Sequence, residues 1–189
     1  MTKGRSLPGL TAGITLAALA IVVLAVDQLS KQWVLGNLVE GERVSVLGDA
    51  LQWQLVFNPG AAFSIGEGST WIFTLALAAV AIAIIVLAIL RVRSWPWAIV
   101  LGLLLGGVLG NLTDRLLREP GFLVGHVVDF ILTPWMWFYL PGPAIFNVAD
   151  MFIVCDMIAV AVLVLIGVGF DGRRVETKRV AADTPDERP

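Results

Sequence analysis

Cysteine, histidine and charge are all scarce in this sequence, and each shortage removes a class of function. A single cysteine, Cys155, forbids an intramolecular disulfide and leaves no thiolate cluster for zinc or iron–sulfur. Its place in an apolar run offers no base to activate it, so it reads as a buried structural thiol rather than a nucleophile. A single histidine, His126, and the absence of His-Glu-x-x-His argue against a zinc protease. Lys31 is the one lysine between residue 4 and the C-terminal tail, and its neighbour Ser30 does not share its helical face, which disfavours a serine–lysine dyad. No basic block is long enough to suggest nucleic acid. Charged residues make up 15% of the chain, against about 25% in soluble domains, while 58% is hydrophobic. That balance makes lipid the solvent.

What the sequence has in abundance is long apolar runs. Residues 10–26, 71–90, 97–117 and 145–170 read as four membrane spans. The second carries no charge before Arg91, and about 20 residues at 1.5 Å rise cross the hydrocarbon layer. The first is expected to be retained rather than cleaved as a signal peptide, because further spans follow it. Lys3 and Arg5, Arg91 and Arg93, and Arg173, Arg174, Lys178 and Arg179 then fall on one side, which the positive-inside rule makes the cytoplasm. Residues 1–9 form a cytoplasmic N-terminus, 10–170 the transmembrane domain, and 171–189 a polar, disordered cytoplasmic tail. Trp71 marks the outer interface, and Trp95 and Trp97 the inner one.

Residues 27–70 and 118–144 are expected outside. In the first of these, 44–46 and 51–57 have strand composition, with Gly48 and Asp49 for a turn and Asn58, Pro59 and Gly60 as a stop. In the second, a short strand at 127–130 is followed by loop containing Pro134, Pro141 and Pro143. The fold class is therefore an all-α membrane protein: a four-transmembrane-helix bundle with a small extracytoplasmic β-sheet and loop cradle. Gly102, Gly106 and Gly110 recur every fourth residue of the third span and predict close helix packing.

Ionisable groups in such a context must face protein or water. Asp129 and Asp150 stand out, because two carboxylates in one dry site share a proton, leaving one to take a proton from water and one to polarise a carbonyl. Residue chemistry alone leaves open that they are hydrogen-bonded carboxylates at a helix interface. Asn147 and Asp150 share a helical face, as do Asn111 and Arg115, with Asp114 adjoining; together they suggest a polar chamber near the outer surface. Arg115 pairing with an acid for solvation alone is the other account of that residue. Asp27 and Lys31 form an i,i+4 pair at the interface. Asp156 has no evident partner. A small channel or transporter is the competing function, but residues 76–90 and 98–109 carry no polar side chain that would continue a path to the cytoplasm.

Five stretches, in order, resemble the bacterial lipoprotein signal peptidases, also called signal peptidase II. They are Asp27-Gln28-Leu29-Ser30-Lys31, then Asn58 through Phe63 and Ser64, then Gly107 through Gly110-Asn111-Leu112-Thr113-Asp114-Arg115, then Val128-Asp129-Phe130-Ile131, and Phe146-Asn147-Val148-Ala149-Asp150. The resemblance implies an aspartyl endopeptidase, without metal or other cofactor, that removes the signal peptide from diacylglyceryl-modified prolipoproteins just before the lipidated cysteine. It implies Asp129 and Asp150 as the catalytic pair, and Asn111, Arg115, Asn147, Asn58, Gly60 and Phe63 as substrate-binding residues. Asp27, Lys31 and Asp114 fall in supporting roles. The expected partners are prolipoprotein signal peptides and membrane phospholipid. The chain is expected to act as a monomer in the bacterial cell membrane, with both termini cytoplasmic and the active site near the outer face. Asp156 stands where the family usually has glycine.

Overall fold

The computed structural model describes residues 7–60, 70–135 and 144–174. Four helices in it are long and apolar enough to cross a membrane: α1 (Gly9–Asn37), α2 (Thr70–Leu90), α3 (Trp95–Leu117) and α4 (Val148–Leu165). Four strands, β1 (Arg43–Leu47), β2 (Leu51–Asn58), β3 (Val127–Thr133) and β4 (Ala144–Phe146), form one antiparallel sheet in that order. The architecture is mostly helical with a small sheet, as expected. Phe63 and residues 175–189 of the C-terminal tail lie outside the described residues, as do Pro141 and Pro143.

The element ends differ from the sequence expectation in instructive ways. Helix α1 does not stop at residue 26 but continues through Asp27 and Lys31 to Asn37. The charges do not end it because both side chains are fully buried, in contact with each other at 2.8 Å rather than at a wet interface. Helix α4 is shorter than 145–170 at both ends. Residues 144–146 pair with β3 as a fourth strand, with Ile131 opposite Phe146, and Asn147 caps the helix behind them. The other end comes at Leu165, and Gly167 takes a positive φ of 70° just beyond it. Strand β3 runs on to Thr133, held by β2 on one side and β4 on the other.

Helix α3 is the central element, packed against each of the others. A Cβ on Gly102 would lie 2.8 Å from the Leu16 carbonyl oxygen, and one on Gly106 would lie 2.6 Å from Val23 Cβ, so bare glycine lets α1 come this close. Around that contact Leu16, Ala20, Ala81, Ile84, Leu101, Leu105 and Val108 form the bundle core. Backbone hydrogen bonds from Leu7 to the Arg93 carbonyl, and from Arg93 to the Phe170 carbonyl, tie the basic ends of the chain together at one end of the bundle. Trp97 is buried there, donating to the Val168 carbonyl at 2.9 Å, so it is a packing residue and not an interface marker. Cys155 corrects another expectation. It is exposed on the α4 stripe that includes Met151, Val154 and Ile158, where an apolar thiol needs only lipid.

The sheet lies at the other end. Val34 of α1, Leu55 of β2, and Val128 and Phe130 of β3 form a second apolar cluster. Strand alternation then turns Asp129, between Val128 and Phe130, to the opposite face.

A buried carboxylate site joining the helices to the sheet

Asp150 is placed by local chemistry. Asn147 is the N-cap of α4, and its amide oxygen accepts from the Asp150 N–H at 3.0 Å. Asp150 Oδ2 accepts in return from the Asn147 N–H at 3.1 Å, completing a capping box. The carboxylate therefore sits in the first turn of the helix, where the unsatisfied N–H groups favour negative charge, and not deeper in the apolar run.

Asp129 reaches the same residue from the sheet. Asn147 Nδ2 donates to Asp129 Oδ1 at 2.7 Å, and Asn58 Nδ2 donates to Asp129 Oδ2 at 2.9 Å. Asn147 thus hydrogen-bonds to both acids, one through its cap and one through its amide. Asp129 is only 3% exposed. Burial, and secondly the negative charge of Asp150, push its carboxyl up to about 7, against the opposing hydrogen bonds from Asn58 and Asn147 and the charge of Lys31.

Helix α3 supplies a second ring. Asn111 Nδ2 donates to Asp150 Oδ1 at 2.7 Å, and Asn111 Oδ1 accepts from Asn147 Nδ2 and Lys31 Nζ, each at 3.1 Å. Lys31 Nζ also meets Asp27 Oδ2 and Asp114 Oδ2, each at 2.8 Å. The supporting acids bind backbone as well. Asp27 Oδ1 accepts from the Ala149 N–H of α4 at 2.9 Å, and Asp114 Oδ2 from the Val128 N–H of β3 at 3.2 Å. The two carboxylates behind the site therefore fix the two segments that carry Asp150 and Asp129.

Among the described residues Arg115 joins no acid within salt-bridge distance. Its Nη1 donates to the carbonyls of Asn58 at 3.1 Å and of Pro59 and Gly125 at 3.0 Å, and its Nη2 donates to that of Gly60. The guanidinium therefore gathers the end of β2 around itself, and with it Asn58. The structure thus brings together Asp129, Asp150, Asn111, Asn147, Asn58, Gly60 and Arg115. Three contributors went unnoticed in the sequence. Gln28 bonds to Asp27, the Gly110 carbonyl and Asp114; Arg118 pairs with Asp114 at 2.6 Å; and Thr70 bonds to the Pro59 carbonyl at 2.6 Å. Gln28 lies within a matching motif, which was a usable signal, whereas Thr70 had none. Asp156 remains apart: it is buried, and its Oδ2 has no hydrogen-bond partner among the described residues.

The fold is similar to that of a bacterial membrane enzyme determined by the in meso method at 2.3 Å, with a TM-score of 0.71 and 27% identity over 87% of this chain and 93% of that one. A second bacterial membrane enzyme, determined at 1.9 Å, gives a TM-score of 0.67 and 26% identity over 85% and 97%. The class is thus a multi-pass membrane enzyme. The signal peptidase (SPase) II family model matches residues 19–166. A lipoprotein signal peptidase of Leifsonia xyli subsp. xyli is 51% identical over 92% of this chain and 77% of its own length. One from Rhodococcus jostii is 45% identical over 85% and 77%. The chain belongs to the signal peptidase II family.

Proposed function

We propose that this protease, which as a lipoprotein signal peptidase removes signal peptides from prolipoproteins, does so with water activated between Asp129 and Asp150. The observation that carries the reading is the double attachment of Asn147, capped onto Asp150 and bonded to Asp129 at 2.7 Å. One carboxylate takes a proton from water while its protonated partner polarises the scissile carbonyl, and the proton then leaves with the amine. The bond cut is the one before a diacylglyceryl-modified cysteine, whose acyl chains stay in the phospholipid. Asn111, Asn147 and Asn58 border the dyad and hold the substrate backbone against it. Arg115 and Gly60 serve the substrate through the turn that Arg115 gathers, and Phe63, of the same sequence motif, is a further substrate-binding residue. The protein works as a monomer in the bacterial cell membrane. The basic bundle end and both termini are cytoplasmic, and the sheet and dyad lie at the outer face, where a signal segment emerges from the bilayer.

Single-turnover cleavage of a diacylglyceryl-modified peptide, normalised to bound substrate, tests this. Asp129→Asn and Asp150→Asn should each lower the rate by more than about 10²-fold, with substrate binding retained, and the double variant should be little worse than either. A residual rate above about a tenth of wild type in either folded variant would overturn the dyad, because that is more than loss of an acid–base role allows.

A further inference from the structure

The dyad is ringed by three asparagines, and all three are held the same way round. Asn58 Oδ1 accepts from the Gly60 N–H at 3.0 Å, which leaves its NH₂ on Asp129. Asn147 Oδ1 accepts from the Asp150 N–H at 3.0 Å, which leaves its NH₂ on Asp129 and Asn111. Asn111 Oδ1 accepts from Lys31 Nζ, which leaves its NH₂ on Asp150. Backbone N–H and ammonium groups only donate, so each amide oxygen is fixed by a partner that cannot accept. Two of those anchors belong to the backbone. The third is a side chain.

We propose that Lys31 is a positioning residue of the proposed catalytic site, acting through the Asn111 amide to hold Asp150 in register with Asp129. The inference rests on the dyad reading given above. Lys31 is 0% exposed, and among the described residues its three polar contacts are Asp27, Asp114 and Asn111, one for each proton of the ammonium. A lysine that served only to neutralise acids would need the first two. Asp114 also has Arg118 at 2.6 Å, so its charge does not depend on Lys31 alone. The third proton leads to the dyad.

The charge has a direction of effect. Among the described residues the charged groups around the pair are Lys31 and Asp27 from α1, Asp114, Arg115 and Arg118 from α3, Asp129 from β3 and Asp150 from α4; β2 contributes the neutral Asn58. Lys31 opposes the upward push on the Asp129 carboxyl. Without the ammonium the pair retains its second proton to higher pH, so the acidic limb of the rate profile moves toward neutrality. A lysine that only stabilises the fold would leave that limb in place.

The test uses the full chain in detergent and a diacylglyceryl-modified peptide, with KM and kcat followed across pH. Lys31→Met removes the ammonium and leaves the Asp114–Arg118 pair, and the bonds of Asp27 to Gln28 and the Ala149 N–H, in place. Asn111→Leu cuts the link while sparing both Lys31 ion pairs. Each should fold, lose at least about tenfold in kcat and combine with the other non-additively; the Lys31 variant should keep KM within about threefold, whereas Asn111→Leu, which also removes a substrate contact, should raise it. The Lys31 variant should also shift the acidic limb upward. Wild-type turnover in folded Asn111→Leu overturns the proposal, and so does wild-type turnover with an unmoved limb in the Lys31 variant, or additive losses. If Lys31→Met does not fold, Lys31→Met combined with Asp27→Asn, which removes one charge of each sign, is read by kcat and KM in its place, and wild-type turnover there overturns the proposal. Cleavage by wild type and its loss in Asp150→Asn are read in the same assay, so failure of the dyad itself is recognised separately.

Discussion

Asn147 and Asp150 cap one another: the amide oxygen of the first accepts from the N–H of the second at 3.0 Å, and the carboxylate of the second accepts from the N–H of the first at 3.1 Å. The start of α4 and the placement of one acid of the proposed dyad are thus a single structure. The remaining arm of Asn147 reaches Asp129.

These two duties can be separated. Serine caps helices about as well as asparagine, whereas loss of a cap altogether costs about 0.5–2 kcal/mol. Asn147→Ser keeps an oxygen for the Asp150 N–H but loses the NH₂ that meets Asp129 and Asn111. Its thermal unfolding should stay close to wild type, while single-turnover cleavage falls by about 10²-fold, the scale of a misplaced reacting group. Asn147→Ala should lose both, and differential scanning fluorimetry beside the cleavage assay distinguishes the two variants.

Burial and Asp150 push the Asp129 carboxyl up to about 7, so this group carries a proton at pH 6 and loses it above neutrality. The cleavage rate should therefore decline as pH rises through about 7, approaching tenfold per unit where one proton is required. Stability should follow the same sign. Between the ordinary carboxylate range and about 7, the folded state keeps a proton that the unfolded chain has released, so stability falls as pH rises across that window. Unfolding temperatures measured from pH 5 to 8 should show a smaller decline in Asp129→Asn than in wild type.

Asp156 places a carboxyl in the middle of a spanning helix with one buried oxygen unpartnered among the described residues. A buried polar group without a partner costs about 1–3 kcal/mol. Asp156→Leu should raise the unfolding temperature and leave cleavage per folded molecule unchanged. A destabilised variant in the same melting experiment would mean that the carboxyl is satisfied by a group in the membrane.

Orientation is checked from the exposed turn between β1 and β2. In a Cys155→Ser background, which should itself retain full cleavage, a cysteine replacing Asp49 should react with a membrane-impermeant thiol reagent added outside intact cells. One replacing Arg91 should not. The reverse labelling would invert the topology drawn from the basic residues.

The four helices were legible because a lipid-crossing segment announces itself by length and composition, and residues 71–90 and α2 nearly coincide. The hairpin was legible for a similar reason, since Gly48 takes the positive φ of 57° that its turn needs. Asp129 and Asp150 stood out as acids where apolar residues were expected. What escaped the sequence depends on distant partners. Asp27 and Lys31 looked like an end to α1 because the residues that complete the burial of Lys31, Asp114 by charge and Asn111 by hydrogen bond, lie some 80 positions away. Residues 145 and 146 looked helical because nothing local records that β3 waits to pair with them. Arg115 invited an acid as partner, yet the structure gives it carbonyls, an option that no side-chain pattern encodes.

The glycine contact between α1 and α3 gives the site a lever. Val23 meets Gly106 one turn below Asp27, and Asp27 holds the Ala149 N–H beside Asp150. A methyl group at Gly106 would start 2.6 Å from Val23 Cβ and 2.8 Å from the Ala20 carbonyl oxygen, too near for either to stay. The displaced α1 would carry Asp27 and Lys31 with it, turning a change of one carbon in the middle of the bilayer into a misalignment of two acids near its surface. The tolerance of the chemistry is therefore set in a greasy seam that touches neither water nor substrate.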